Sequence, residues 1–134
     1  KIQGYDQVIW TDAKTHEYIE EAGTMNIAIV IDNRLITPKL STSILDGITR
    51  SSIMQIAKDM GMIVEERKVQ LQELIDEFQS DKKIEIFGVG TAAVISPVKC
   101  INILGTEYYP YTANDAIMFK LKKQLKLSCF FILT

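Results

Sequence analysis

Cysteine is nearly missing from this chain: Cys100 and Cys129 are the two in 134 residues. They are too few and too isolated for a disulfide framework or a zinc site. Histidine is scarcer still, and His16, in a polar stretch, reads as a solvated surface residue. No Ser-His-Asp or Cys-His arrangement can be built around it. Charge of either sign is not in excess, since fifteen basic against seventeen acidic residues leave a net charge of −2. The basic footprint of a nucleic-acid binder is therefore absent, and binding to a membrane surface is equally unsupported. No apolar run approaches the length of a membrane span, and no charged-then-apolar leader opens the chain. A reducing, cytoplasmic setting is the expectation. What is present is 47% apolar and 24% charged, the balance of one soluble domain able to bury a core, with no internal repeat.

Along the chain, Gln7 to Thr11 and Glu17 to Ala22 read as short strands separated by the polar turn Asp12-Ala13-Lys14-Thr15. Met25 to Ile31 is apolar almost throughout and ends in Asp32-Asn33, the pattern of a central strand entering a hairpin whose return is Arg34 to Thr37. Pro38, with no N–H to donate, is expected to stop that ladder. From Thr49 to Met60, Ile53, Met54, Ile56, Ala57 and Met60 recur at helical spacing with Arg50, Gln55, Lys58 and Asp59 between them, and Gly61 ends the helix. Met62 to Val69 reads as a strand, and Leu71 to Phe78 as a short amphipathic helix. Further strands are expected over Lys83–Phe87, Ala92–Ser96 and Cys100–Leu104, then a helix capped by Asn114 and carrying Ile117, Leu121 and Leu125. The mixture predicts an α+β, barrel-like domain rather than a regular βαβ array. Trp10 and the Tyr108-Tyr109-Pro110-Tyr111 cluster are expected to pack, and Lys82-Lys83 to lie on a solvated face.

Three segments carry chemistry. In the first, Glu20-Glu21-Ala22-Gly23-Thr24-Met25-Asn26, strand alternation sends one glutamate of the pair inward. A buried carboxylate needs a cationic or hydrogen-bonding partner, such as a protonated ring nitrogen; the alternative is that both glutamates are solvated on an edge strand. The second, Leu45-Asp46-Gly47-Ile48-Thr49-Arg50, is a turn opening into the Thr49 helix, where free N–H groups and the positive helix end make an anion site. Asp46 or Thr49 acting as a plain cap is the other reading. In the third, Gly88-Val89-Gly90-Thr91-Ala92-Ala93, two glycines precede a threonine at a strand end. The N–H groups there are able to form a concave donor nest, or the segment is a bulge or tight turn.

Taken together and in this order, the segments resemble the C-terminal domain of the branched-chain aminotransferases, pyridoxal 5′-phosphate enzymes of fold type IV, also called D-amino acid aminotransferase-like. The resemblance runs from about Gly4 to about Val98. It implies that Glu21 pairs with the pyridine nitrogen, that the amides of Ile48 and Thr49 hold the cofactor phosphate, and that Thr91 joins them. It further implies that Thr91 and Ala92 bind the substrate carboxylate, and that Thr24 and Met25 border the pocket for its aliphatic side chain. Asp46 stands where the family usually has proline, Val89 where it usually has serine, and Ala93 and Ser96 where animal members carry a redox-active cysteine pair. Gly-Thr-Met-Asn after the glutamate favours the branched-chain members over D-amino acid transaminases and aminodeoxychorismate lyases, whose version is serine-rich.

The family lysine that carries the cofactor precedes the segment matching Gly4 to Trp10. Lys1 lacks the Gly-Gly-Asn-Tyr context that follows that lysine and is assigned no catalytic role. The expectation is a cofactor-binding domain over 1–127 and a non-matching apolar tail over 128–134. As an isolated chain it is expected to be inactive. The complete enzyme would move the amino group of leucine, isoleucine or valine to 2-oxoglutarate, as a homo-oligomer or with a missing N-terminal half. The alternatives are a noncatalytic anion-binding or interaction module derived from the fold, or another fold type IV enzyme such as a D-amino acid transaminase or an aminodeoxychorismate lyase.

Overall fold

Residues 9–12, 14–22, 25–39, 48–90 and 94–128 are described by the computed structural model of the chain. The apolar run Met25–Ile31 forms the central strand β3, following the short strands β1 (Ile9–Thr11) and β2 (Tyr18–Ala22). Asp32 and Asn33 both adopt positive φ, 50° and 60°, the twist that a two-residue hairpin demands, and return the chain as β4 (Arg34–Pro38). Helix α1 (Ile48–Asp59) follows, then β5 (Ile63–Arg67), β6 (Val69–Gln70), α2 (Leu71–Gln79), β7 (Glu85–Gly90), β8 (Val94–Pro97), the hairpin β9 (Ile101–Ile103) and β10 (Thr106–Tyr108), and α3 (Ile117–Ser128).

Among the described residues, β1 to β8 make one mixed sheet of eight strands. β7 runs antiparallel along one edge of β3, Asn26 facing Val89 and Val30 facing Glu85. The other edge is shared: β2 pairs with its start, β4 with its end. β5 lies parallel to β4, and β6 pairs with β2, so residues 63–70 pass from one strand to the other with a break at Lys68. This bridging gives the sheet its barrel-like character and divides the single strand expected over Met62 to Val69.

Period-two alternation sorts two cores. Ala28, Val30, Phe87 and Val89 face α1 and α3, burying Ile53, Ala57, Met118, Leu121 and Leu125. Ile27, Ile29, Ile31 and Ile86 face the other way, onto Leu74 of α2 and Ile101 and Ile103 of β9. Helix α1 ends in a Schellman motif: Gly61, at φ 84°, donates to Lys58 O at 3.0 Å, and Met62 N donates to Ala57 O at 3.0 Å.

The expectation for Pro38 holds, and those for Asn114 and Trp10 are corrected. Pro38 does end the ladder, as the last residue of β4, opposite Arg67. The β3–β4 register, continued, sets Pro38 opposite Ile27, and Thr37 Oγ1 donates to Ile27 O at 2.8 Å in place of the missing N–H. Asn114 does not cap α3, which starts at Ile117. The cap is Glu85 of β7, whose carboxylate accepts from Ile117 N and Met118 N, each at 2.8 Å. Trp10 is not packed but 56% exposed. Lys82 and Lys83 lie on a solvated face as expected, where Lys82 is ion-paired at 3.0 Å from Asp32 and 3.2 Å from Glu77. Of the tyrosines, Tyr108 stacks on Phe78 with centroids 4.9 Å apart, while Tyr109 is 69% exposed.

Cys100 pairs through its thiol with Glu107 rather than with another cysteine. Among the described residues, no helix is long and apolar enough to cross a membrane, and no cluster of His, Cys, Asp and Glu is arranged to hold a metal. The tail beyond residue 128 lies outside the described residues.

Candidate functional site

Sheet register brings the described parts of the first and third segments, residues 20–22, 25–26 and 88–90, to one end of the sheet. Ala22, last in β2, stands opposite Met25, first in β3, and Glu21 stands opposite Asn26. Asn26 in turn faces Val89 near the end of β7. The Glu21 backbone and the glycine segment are thus one strand apart, with β3 between them. Helix α1 begins at the same end, because Arg50 in its first turn donates from Nη2 to Pro38 O, at the end of β4, at 2.9 Å.

Gly88 has a specific reason to be glycine. A Cβ there would lie 3.0 Å from Met25 Sδ and 3.4 Å from Met25 Cβ, so the bare backbone is what lets the half-buried Met25 lie across β7. A donor nest over residues 88–90 is not what forms: β7 continues through Gly90, with Gly88 between Ile27 and Ser96 and Val89 between Asn26 and Ile95. The strand was expected to end at Phe87; glycines alone would weaken it there, but pairing on both edges carries it onward.

At the start of α1, Ile48 and Thr49 are the first two residues, Thr49 is half-buried, and the first turn contains no acidic residue. Its N–H groups have no intrahelical acceptors, and the positive end of the helix dipole has no carboxylate beside it in that turn. Thr24, Thr91 and Ala92 lie outside the described residues.

Two residues missed by sequence reasoning belong to this end of the sheet. Asn26 is 8% exposed, and its Oδ1 has no hydrogen-bond partner. The available signal was a lone amide within the apolar run of β3. Arg50 is 4% exposed, although the helical pattern puts it among the polar positions. Besides Pro38 O it reaches Glu66 Oε2 at 2.6 Å, while its Nε has no partner. A buried orphan acceptor, a buried cation with a spare donor and an acid-free helix start are an incomplete polar set. An anionic group with an attached polar ring fits that chemistry, as pyridoxal 5′-phosphate does.

The sequence profile of the family "Amino-transferase class IV" matches residues 1–101. The chain is 54% identical over 95 residues to the probable branched-chain-amino-acid aminotransferase of Staphylococcus aureus, covering 71% of this chain and 26% of that protein. It is 44% identical over 102 residues to branched-chain-amino-acid transaminase 1 of Bacillus subtilis, covering 76% and 29%. The chain therefore spans little more than a quarter of the length of these relatives. Its fold superposes on the branched-chain aminotransferase of Thermoproteus uzoniensis, solved with norvaline, with a TM-score of 0.71 at 32% identity, covering 92% of this chain and 37% of the other. By the profile over three quarters of its length and by the superposition of its sheet and helices, the chain belongs to the class IV amino-transferases and has their type IV fold.

Proposed function

We propose that this chain is the cofactor-binding portion of a branched-chain amino-acid aminotransferase. The complete enzyme moves the amino group of leucine, isoleucine or valine to 2-oxoglutarate. The observation that carries this reading is the convergence of β2's end, Met25, the Gly88 strand and the acid-free start of α1 at one end of the sheet. Relatives named as branched-chain aminotransferases support the substrate class.

Each residue then has a task. Glu21 holds the proton on the pyridine nitrogen. Ile48 and Thr49 offer main-chain amides to the phosphate, and Thr91 adds to that cup. Thr91 and Ala92 orient the substrate carboxylate, while Thr24 and Met25 shape the space for an aliphatic side chain. Pyridoxal 5′-phosphate, when bound, supplies the electron sink for chemistry at the substrate α-carbon. The proton transfer itself needs a lysine positioned as general base, a task given to no residue of this chain. The chain alone is therefore inactive.

Titration of the purified chain with pyridoxal 5′-phosphate, followed by borohydride reduction and mass spectrometry, tests this. Saturable binding without a specific lysyl adduct is the expected result. Absence of binding sinks the cofactor assignment, and transamination of leucine by the chain alone sinks the assignment of inactivity.

A further inference from the structure

We infer that Arg50 is a positioning residue of the anion site at the start of α1, setting the helix's first turn on the sheet and lending it positive charge without touching the ligand. The inference rests on the cofactor reading above and adds to it a buried residue of the helix's own first turn.

Arginine in the first turn of a helix is on the wrong side of the dipole, whose positive end favours acids. Burial adds a desolvation cost that only close partners offset. Arg50 carries both burdens: it is 4% exposed, and the first turn holds no acid. Its partners tie three elements together. Nη2 donates to Pro38 O at the end of β4 at 2.9 Å and to Glu66 Oε2 on β5 at 2.6 Å, so α1 is fastened to two adjacent strand ends. Compensation is nonetheless partial, because Glu66 is 39% exposed at its side chain and Arg50 Nε is left without an acceptor. Asn26 Oδ1, buried at the same end of the sheet, has no donor. Asn26 Oδ1 calls for a donor and not for an anion, but Arg50 Nε lacks an acceptor and the first-turn amides have no acid in that turn, which leaves an unmet need for negative charge at the helix start. A dianionic group at the orphan amides of Ile48 and Thr49 removes it, since the guanidinium and the helix end then act on a negative charge instead of on each other.

The consequence is that Arg50 should matter for the phosphate and not for the ring. The probes are 4′-deoxypyridoxine 5′-phosphate and 4′-deoxypyridoxine, which lack the aldehyde and so form no adducts with surface lysines. Their dissociation constants are measured for the wild-type chain, Arg50→Met, Arg50→Lys and Glu66→Gln, with thermal unfolding of each. Arg50→Met is expected to weaken the phosphorylated probe about tenfold and leave the other unchanged. Arg50→Lys keeps the charge but not the fork, and should fall between; it also keeps the test usable if Arg50→Met does not fold. Glu66→Gln, by removing the neutralising carboxylate, should hold or sharpen the preference for phosphate. Equal weakening of both probes, or of neither, in the arginine variants overturns the role of Arg50 while leaving the site in place. A wild-type chain that does not prefer the phosphorylated probe overturns the anion site and Arg50's role with it.

Discussion

At the scale of single residues, side chains often serve backbone as much as chemistry, and Asp12 is the clearest case. Its carboxylate accepts from Thr15 N and Thr15 Oγ1 at 2.8 Å each, from Glu17 N at 2.9 Å and from Tyr18 N at 3.0 Å, closing the turn between β1 and β2. Donors gathered this way favour the charged form, the Tyr18 and Thr15 amides foremost, and hold Asp12 well below its ordinary pKa of 3.8. A depressed carboxyl pKa contributes stability above the unfolded value, and that contribution is lost as pH falls through the folded one. Asp12→Asn should therefore be less stable than wild type at neutral pH, with the gap narrowing as pH drops below about 4. Urea midpoints of both proteins at several pH values between neutral and acid read this directly. A gap that stays constant across that range would mean shape, not charge, is what Asp12 supplies. The turn itself was legible in the sequence, but the role of Asp12 was not, because four donors converging on one carboxylate appear only once the loop is closed. Gly88 teaches the same lesson: its sequence neighbours suggest a ligand approaching, whereas the atom that approaches is Met25 Sδ.

Elements whose signals are local were legible, and those fixed from a distance were not. The β3–β4 hairpin follows from Asp32-Asn33, and α1 from its apolar spacing and Gly61, because each cue sits inside the element it specifies. β10 was missed, since Thr106-Glu107-Tyr108 shows no alternation and is held only by pairing with β9. The start of α3 was misplaced because its cap comes from Glu85, on a strand more than a turn of sequence logic away. That carboxylate is 5% exposed, and burial raises its pKa even though the Ile117 and Met118 amides pull the other way. A raised carboxyl pKa favours folding below the unfolded value of 4.5 and loses that contribution as pH climbs through the folded one, so mild acid does not weaken α3 through this group. Glu85→Gln should still destabilise at neutral pH by about 1–3 kcal/mol, because a carboxamide offers one oxygen to two buried amides. Calorimetric unfolding checks the magnitude, and hydrogen exchange at Ile117 and Met118 checks the place. Unchanged stability together with unchanged exchange would remove Glu85 as the cap.

For the molecule as a whole, the candidate site depends on strands that belong to two cores at once. β3 and β7 send Ala28, Val30, Phe87 and Val89 toward α1 and α3, and Ile27, Ile29 and Ile86 toward α2 and β9. The site end of the sheet is thus clamped from both faces, and the orientation of Asn26 relative to Arg50 depends on each. The family resemblance and the separate segments were legible from sequence, but their convergence at one sheet end was not, because it is created by pairing between residues as distant as Asn26 and Val89. Shared strands also predict cooperativity. Leu121→Ala empties part of the α3 face, where Leu121 is fully buried, and should cost about 2–5 kcal/mol. Leu74→Ala does the same on the α2 face. If the strands couple the faces, either variant lowers hydrogen-exchange protection in Ile101–Ile103 and in α3 by the same factor, since both segments open through one global event. Loss of protection confined to α3 in Leu121→Ala, with β9 unaffected, would instead divide the domain into two independently stable layers. The site would then be assembled by docking of those layers rather than by folding of one core.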